Sequence, residues 1–398
     1  MPAPAPAPAH ARPSRFARNV TALAGLVFVP LVVQPQGDAA LKLHTTNPTA
    51  SNEFRAGVSD LENVSMESAA EHFKAALDAD PGFGLARVMY ASLGPVPASQ
   101  LEAETNRAVA DAARGSASEL VLAAAYREFA LGHNAAANAL FAAAAKMMPN
   151  DALAAWMGGG GFGMPYAAAR EFVATHPDYA LGYNTIAYQE WFAGNRDAAL
   201  AAAKKQTEMI PNAPNPYDTY AELLQWNGDF AGAAAQYKKA TTTPPRFPEA
   251  YAGLAEVAAL QGQYDQARSY LNQAIANAWT PRQKLGYKRQ IVGTYVLQGA
   301  PAADITKALE AAIAEAKAQG NGPQTAMLYS ELATVQARSG NVAAAHQTLA
   351  TAQAANPSVP WNVRYFGAMA HGLMKHWGPA GQELSALKSM AASDASVP

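Results

Sequence analysis

Eight histidines, no cysteine and scattered carboxylates are the chain's stock of groups for acid–base, nucleophilic or metal chemistry. Without cysteine there is no thiolate nucleophile, thiolate metal ligand, disulfide or lipidated N-terminal cysteine. His371 and His376 lie five apart on one predicted helix. That spacing sends them to different faces, unlike metal ligands at i and i+4. HExxH, GxSxG and GK[ST] do not occur. The Gly158–Gly161 run, followed by Phe162 and Gly163, has the composition of a phosphate cradle. It lacks the lysine and the Ser/Thr that such a cradle needs, so it reads as a bent linker or hinge. Glu102 with Glu104, and Glu310 with Glu315, read as solvated helix faces rather than an acid/base pair. The expectation is no enzyme, no metal and no cofactor.

What must position any working residue is helix. Half of the 398 residues are hydrophobic and only 15% are charged. Much of the apolar half is alanine, the best helix former and small enough to let backbones approach. The formal net charge of -2 gives no reason to expect nucleic acid or an anionic membrane as partner. Arg12, Arg15 and Arg18 precede an apolar run, Val20–Val33, too short to span a bilayer comfortably. A basic flank before such a run predicts a secretory leader within residues 1–40. Export to the periplasm or the exterior is then expected, with no membrane insertion of the mature chain. Residues 393–398 read as a disordered tail.

Between these ends the chain repeats. Pro177, Pro211 and Pro245 fall at intervals of 34 residues (211 − 177 and 245 − 211), and Pro323 and Pro357 repeat the interval. One unit carries Tyr217, Tyr220, Ala221 and Leu224 on a single helical face. Asn227-Gly228-Asp229 breaks that helix, and Ala233, Tyr237 and Ala240 form a second apolar face. Tyr251, Leu254, Ala255, Gly262, Ala267, Leu271 and Ala274 fill the same slots one unit later.

In these slots the chain resembles the tetratricopeptide repeat family. The resemblance implies an all-α, right-handed solenoid of stacked helix–turn–helix repeats, about nine to ten pairs over residues 41–392. Two units are irregular: 152–177 is short and 279–323 is long, with longer helices expected over Arg282–Gln298 and Pro301–Gln319. The family's inner groove draws on unpacked positions of each first helix. Carried over, these are Asn184, Tyr188 and Trp191, then Asp218, Glu222 and Gln225, then Ala252, Glu256 and Ala259. The resemblance implies a non-catalytic adaptor, and the aromatic and acidic side chains of Tyr188, Trp191, Asp218, Glu222 and Glu256 suggest that it holds a polypeptide with basic or neutral side chains. A glycan- or cell-wall-associated factor, its aromatics stacked on sugars, is the alternative, and an enzyme with its site at the irregular units is a further one. The basic cluster Arg282, Lys284, Lys288 and Arg289 reads as a solvated face.

Overall fold

The computed structural model describes residues 41–356 and 358–393. The expected leader, Pro357 and residues 394–398 lie outside that range; Ser393, assigned to the tail, ends the last helix. Among the described residues there are α-helices, one 3₁₀ turn and no strand. The helices run in pairs: α1 (Pro48–Glu62) with α2 (Met66–Ala79), α3 (Gly84–Ser92) with α4 (Ala98–Ala112), and α5 (Ala117–Ala130) with α6 (Asn134–Met147). Next come α7 (Ala152–Gly158) with α8 (Tyr166–Thr175), α9 (Ala180–Phe192) with α10 (Arg196–Met209), and α11 (Asn215–Trp226) with α12 (Phe230–Thr242). The chain continues with α13 (Pro248–Leu260) and α14 (Tyr264–Asn277), then α15 (Pro281–Gln298) and α16 (Ala302–Ala318). Last are α17 (Gly322–Arg338) with α18 (Val342–Ala355), and α19 (Trp361–Leu373) with α20 (Trp377–Ser393).

Most hairpins turn at a glycine of positive φ. Gly228 sits between α11 and α12 at φ 86°, a conformation that costs glycine nothing. Asp229 then caps α12, its carboxylate accepting from the Gly232 amide at 2.8 Å. The long irregular unit is the expected pair of longer helices, α15 and α16. Thr280 opens α15 with a capping box: its hydroxyl accepts from the Gln283 amide, and the Gln283 side chain answers on the Thr280 amide.

The core is a chain of clusters, each spanning neighbouring helices. Tyr217, Ala221, Tyr237, Phe247 and Leu254 make one, and Ala255, Ala267, Leu271 and Tyr287 make the next. No helix hides its apolar stripe alone, so stability accrues from neighbour to neighbour, as in a solenoid. Ala221 and Ala255 are both buried, as the close contact between paired helices demands. Ala255→Leu is expected to overpack its pair by about 1–3 kcal/mol, read as a lowered urea midpoint.

The bend read at Gly158–Gly161 is present between α7 and α8, and one expectation, about the histidines, changes. The Gly158–Gly161 run brings α7 onto α6: a Cβ on Gly158 would stand 2.6 Å from the Ala145 methyl. Gly161 lies under the Trp156 ring, which Phe162 meets edge-on at 4.8 Å between centroids. Packing, not anion binding, accounts for these glycines. His376 is not on the helix of His371, because α19 stops at Leu373 and Lys375 adopts φ 60°. The His376 amide donates back to the His371 carbonyl at 2.9 Å, so the chain folds over and the two rings meet.

Candidate functional site

The first helices of successive pairs line one inner wall, and their residues sort by position along the helix. At the amino-terminal ends, the turn between α1 and α2 lies against the wall. The Tyr179 hydroxyl, just before α9, donates to Glu62 at 3.0 Å. Arg246, just before α13, pairs with Glu67. Val64, a β-branched residue at φ 59°, packs on the Trp156 and Met164 cluster. That backbone conformation is costly for valine, and docking of the turn is what holds it. Between the turn and the wall lies a cavity of 190 Å³, whose lining includes Met66, Glu67, Asn215, Asp218, Arg246, Glu249 and Trp279.

From the amino-terminal ends to its middle the wall is acidic. Asp218 and Glu222 share one face of α11 at i and i+4, and Glu249 and Glu256 extend the row along α13. Among the described residues, no lysine or arginine forms an ion pair with any of these four. Burial in the concave wall holds the Asp218 carboxyl well above the usual carboxylate range, and the Glu222 and Glu249 charges push it further. Glu222 is raised by burial too, partly offset by the Tyr188 hydroxyl, which donates to it at 2.5 Å. Glu249 reaches solvent but stands inside the concavity; burial raises its carboxyl, and the Gln283 amide donates to it at 2.8 Å.

The carboxyl-terminal ends of the same helices form an apolar rim. Trp226 is met by Tyr188, Trp191 and Phe192 at centroid distances of 5.9, 5.7 and 6.1 Å. Phe192 is 60% exposed, Trp226 37% and Leu260 57%. The Arg196 guanidinium lies 5.4 Å over the Trp191 ring. Aromatic side chains held this way offer rigid contact area that loses little entropy on binding.

Of the nine groove positions expected from sequence, five stand on this wall: Tyr188, Trp191, Asp218, Glu222 and Glu256; Ala252 and Ala259 are half-buried against the cluster of Ala255 and Leu271. Asn184 and Gln225 do not stand on it. Asn184 is buried, its amide donating to Thr219 at 2.7 Å and to Asn215 at 3.2 Å, a ladder that fixes α9 against α11. Gln225 is buried as well and accepts from the Tyr237 hydroxyl at 3.2 Å, inside its own pair. Sequence reasoning missed Phe192, Trp226 and Leu260, although their spacing of 34 residues (226 − 192 and 260 − 226) repeats the period. The basic cluster divides: Lys288 pairs with Glu315 at 2.7 Å, Arg289 turns toward Gln324 on α17, and Arg282 and Lys284 stay exposed.

Residues 224–282 match the family model for the tetratricopeptide repeat. Among solved structures, the chain is similar to TTC0263, a thermophilic TPR protein of Thermus thermophilus, with 22% identity and a TM-score of 0.40. That match covers 45% of this chain and all of the other. The Cut9–Hcn1 hetero-tetramer of APC/C aligns at 16% identity and a TM-score of 0.43, over 87% of this chain and 75% of that one. MamA aligns at 18% identity and a TM-score of 0.30, over 38% and 93%. No curated protein matches the chain.

Proposed function

We propose, for a chain that carries tetratricopeptide repeats, a non-catalytic scaffold that holds a basic, amphipathic polypeptide segment along its inner wall. Tetratricopeptide repeats mediate protein–protein interaction, which sets the class of partner. The observation that carries the finer reading is the juxtaposition of unneutralised Asp218, Glu222 and Glu256 with the Trp226 rim. Cations on the partner meet the carboxylates, and its apolar side chains meet Trp226, Phe192 and Leu260. α11 is about 18 Å long, so both contacts fit within one short segment lying along it. The docked turn after α1 occupies the opposite end of the wall and directs the partner toward the aromatic rim. The basic flank and apolar run at Arg12–Val33 support placing this activity in the cell envelope.

The test is binding of a fluorescent Lys- and Leu-rich peptide, with an otherwise identical Glu- and Leu-rich peptide as control. The basic peptide is expected to bind, and to bind more weakly as salt rises, since exposed charges are screened. Glu222→Lys/Glu256→Lys is expected to lower its affinity at least about tenfold. Equal binding of both peptides, or an unchanged affinity in the double variant, overturns the proposal. Salt-insensitive retention on polysaccharide that Trp226→Ala abolishes would favour a glycan ligand on the same rim instead.

A further inference from the structure

The last three helices bring together three imidazoles. His346 lies in the second turn of α18, His371 in the last turn of α19, and His376 just before α20. The His346 Nε2 and His376 Nδ1 atoms are 3.0 Å apart, and their rings stack at 4.7 Å between centroids with 24° between planes. One ring nitrogen from each of the three histidines falls within 4.8 Å of the others. The Nδ1 atom of His371 is buried and has no hydrogen-bond partner.

We propose that His346, His371 and His376 form a binding site for a late first-row divalent transition metal, with Zn²⁺ the ion to test first. Three neutral imidazoles alone satisfy one another poorly. A single proton serves the His346–His376 contact, and the buried His371 nitrogen is left without a partner. A metal ion accepts a lone pair from all three. Zinc–imidazole bonds of about 2.0–2.1 Å in tetrahedral geometry place ligand nitrogens about 3.3 Å apart. The His346–His376 separation of 3.0 Å already approximates that value, and the third nitrogen lies within 4.8 Å of both. Imidazole ligands suit zinc, copper and nickel rather than magnesium or calcium, which prefer oxygen.

Glu383 on α20 lies close enough to act on His371, and Arg364 holds that carboxylate at 2.9 Å. A carboxylate next to a ligating histidine is a common outer-shell partner. His346 is exposed, so a fourth coordination position opens to solvent and takes water or a side chain from outside. Bound metal would tie α18 to the α19–α20 hairpin, the last pair among the described residues. The site lies apart from the acidic wall and does not depend on the partner proposed for it.

The experiment is calorimetric titration of tag-free, chelator-treated full-length chain with ZnCl2, together with visible absorption of the Co²⁺-loaded chain. Expected are one Zn²⁺ per chain, a higher melting temperature with metal, and ligand-field bands of a nitrogen-ligated cobalt ion. His346→Gln changes an exposed side chain and is expected to leave the metal-free melting temperature unchanged. It is expected to weaken Zn²⁺ binding at least as much as the roughly 10–100-fold loss that outer-shell changes cause. His133→Gln, at an exposed histidine elsewhere, is expected to bind like the wild type. No stoichiometric uptake by the wild-type chain, or equal uptake by His346→Gln, overturns the assignment.

Discussion

Gly84→Ala is expected to destabilise the amino-terminal pairs by about 3 kcal/mol, the upper end of what overpacking costs. Gly84 begins α3, where that helix crosses the end of α4 backbone to backbone. A methyl group at this position would stand 2.3 Å from the Ala108 carbonyl oxygen and 2.5 Å from the Ala112 amide nitrogen. Neither atom belongs to a side chain that can swing away, so relief requires the two helices to part. Parting them opens the contact made by Phe83, Leu85, Ala108 and Ala112, all fully buried. The same substitution at Gly286 gives the opposite sign. Gly286 lies inside α15 with nothing within 4 Å of its would-be Cβ. There alanine removes backbone entropy from the unfolded chain and gains roughly 0.5–1 kcal/mol. Urea unfolding followed by circular dichroism measures both. If Gly84→Ala unfolds like the wild type, α3 and α4 do not meet at this distance.

Much of this architecture is written locally. Ala221 and Ala255 sit at helix contacts because no larger residue fits, and Gly228 and Gly262 turn at positive φ because other residues resist it. Such requirements act within one unit, so the period exposes them. Asn184 and Gln225 escaped because a position on the inner face does not say whether the neighbouring pair will cover it. Asn184 is covered by Thr219, 35 residues on, and only the stacking rotation decides that contact. Docking of Val64 and Glu67 against Trp156 and Arg246 depends on rotation summed over several pairs, which no local pattern encodes. The histidine cluster hid for a different reason. Lys375 makes the α19–α20 turn without the glycine that marks other hairpins, so the predicted helix ran on through His376.

Asp218→Asn is expected to strengthen the fold while weakening the interaction. The wild-type carboxyl is raised well above its ordinary value of 3.8, first by burial and then by Glu222 and Glu249. A carboxylic acid whose folded pKa exceeds its unfolded pKa keeps more protons in the folded state. Its share of stability is therefore largest below the unfolded value and is lost as pH rises through the folded one. Asparagine stays neutral and removes that loss, so the variant should melt higher at neutral pH, with a gain of the size typical of single stabilising changes, about 0.5–2 kcal/mol. The advantage should shrink as pH falls toward the ordinary value of 3.8, where the wild-type carboxyl is protonated in the folded and the unfolded chain alike. Partner binding carries the reverse sign. A cation docked against Asp218 favours the ionised form, so wild-type affinity for the basic peptide should rise with pH as binding no longer has to release a proton. The variant should bind more weakly at neutral pH and show a flatter profile. Melting curves and peptide titrations run upward from the ordinary carboxylate value of 3.8 test both halves on one pair of proteins. A variant that melts lower than wild type at neutral pH would mean Asp218 is stabilised by a contact rather than strained by its neighbours. One that melts higher yet binds the peptide equally well would place the peptide elsewhere on the solenoid.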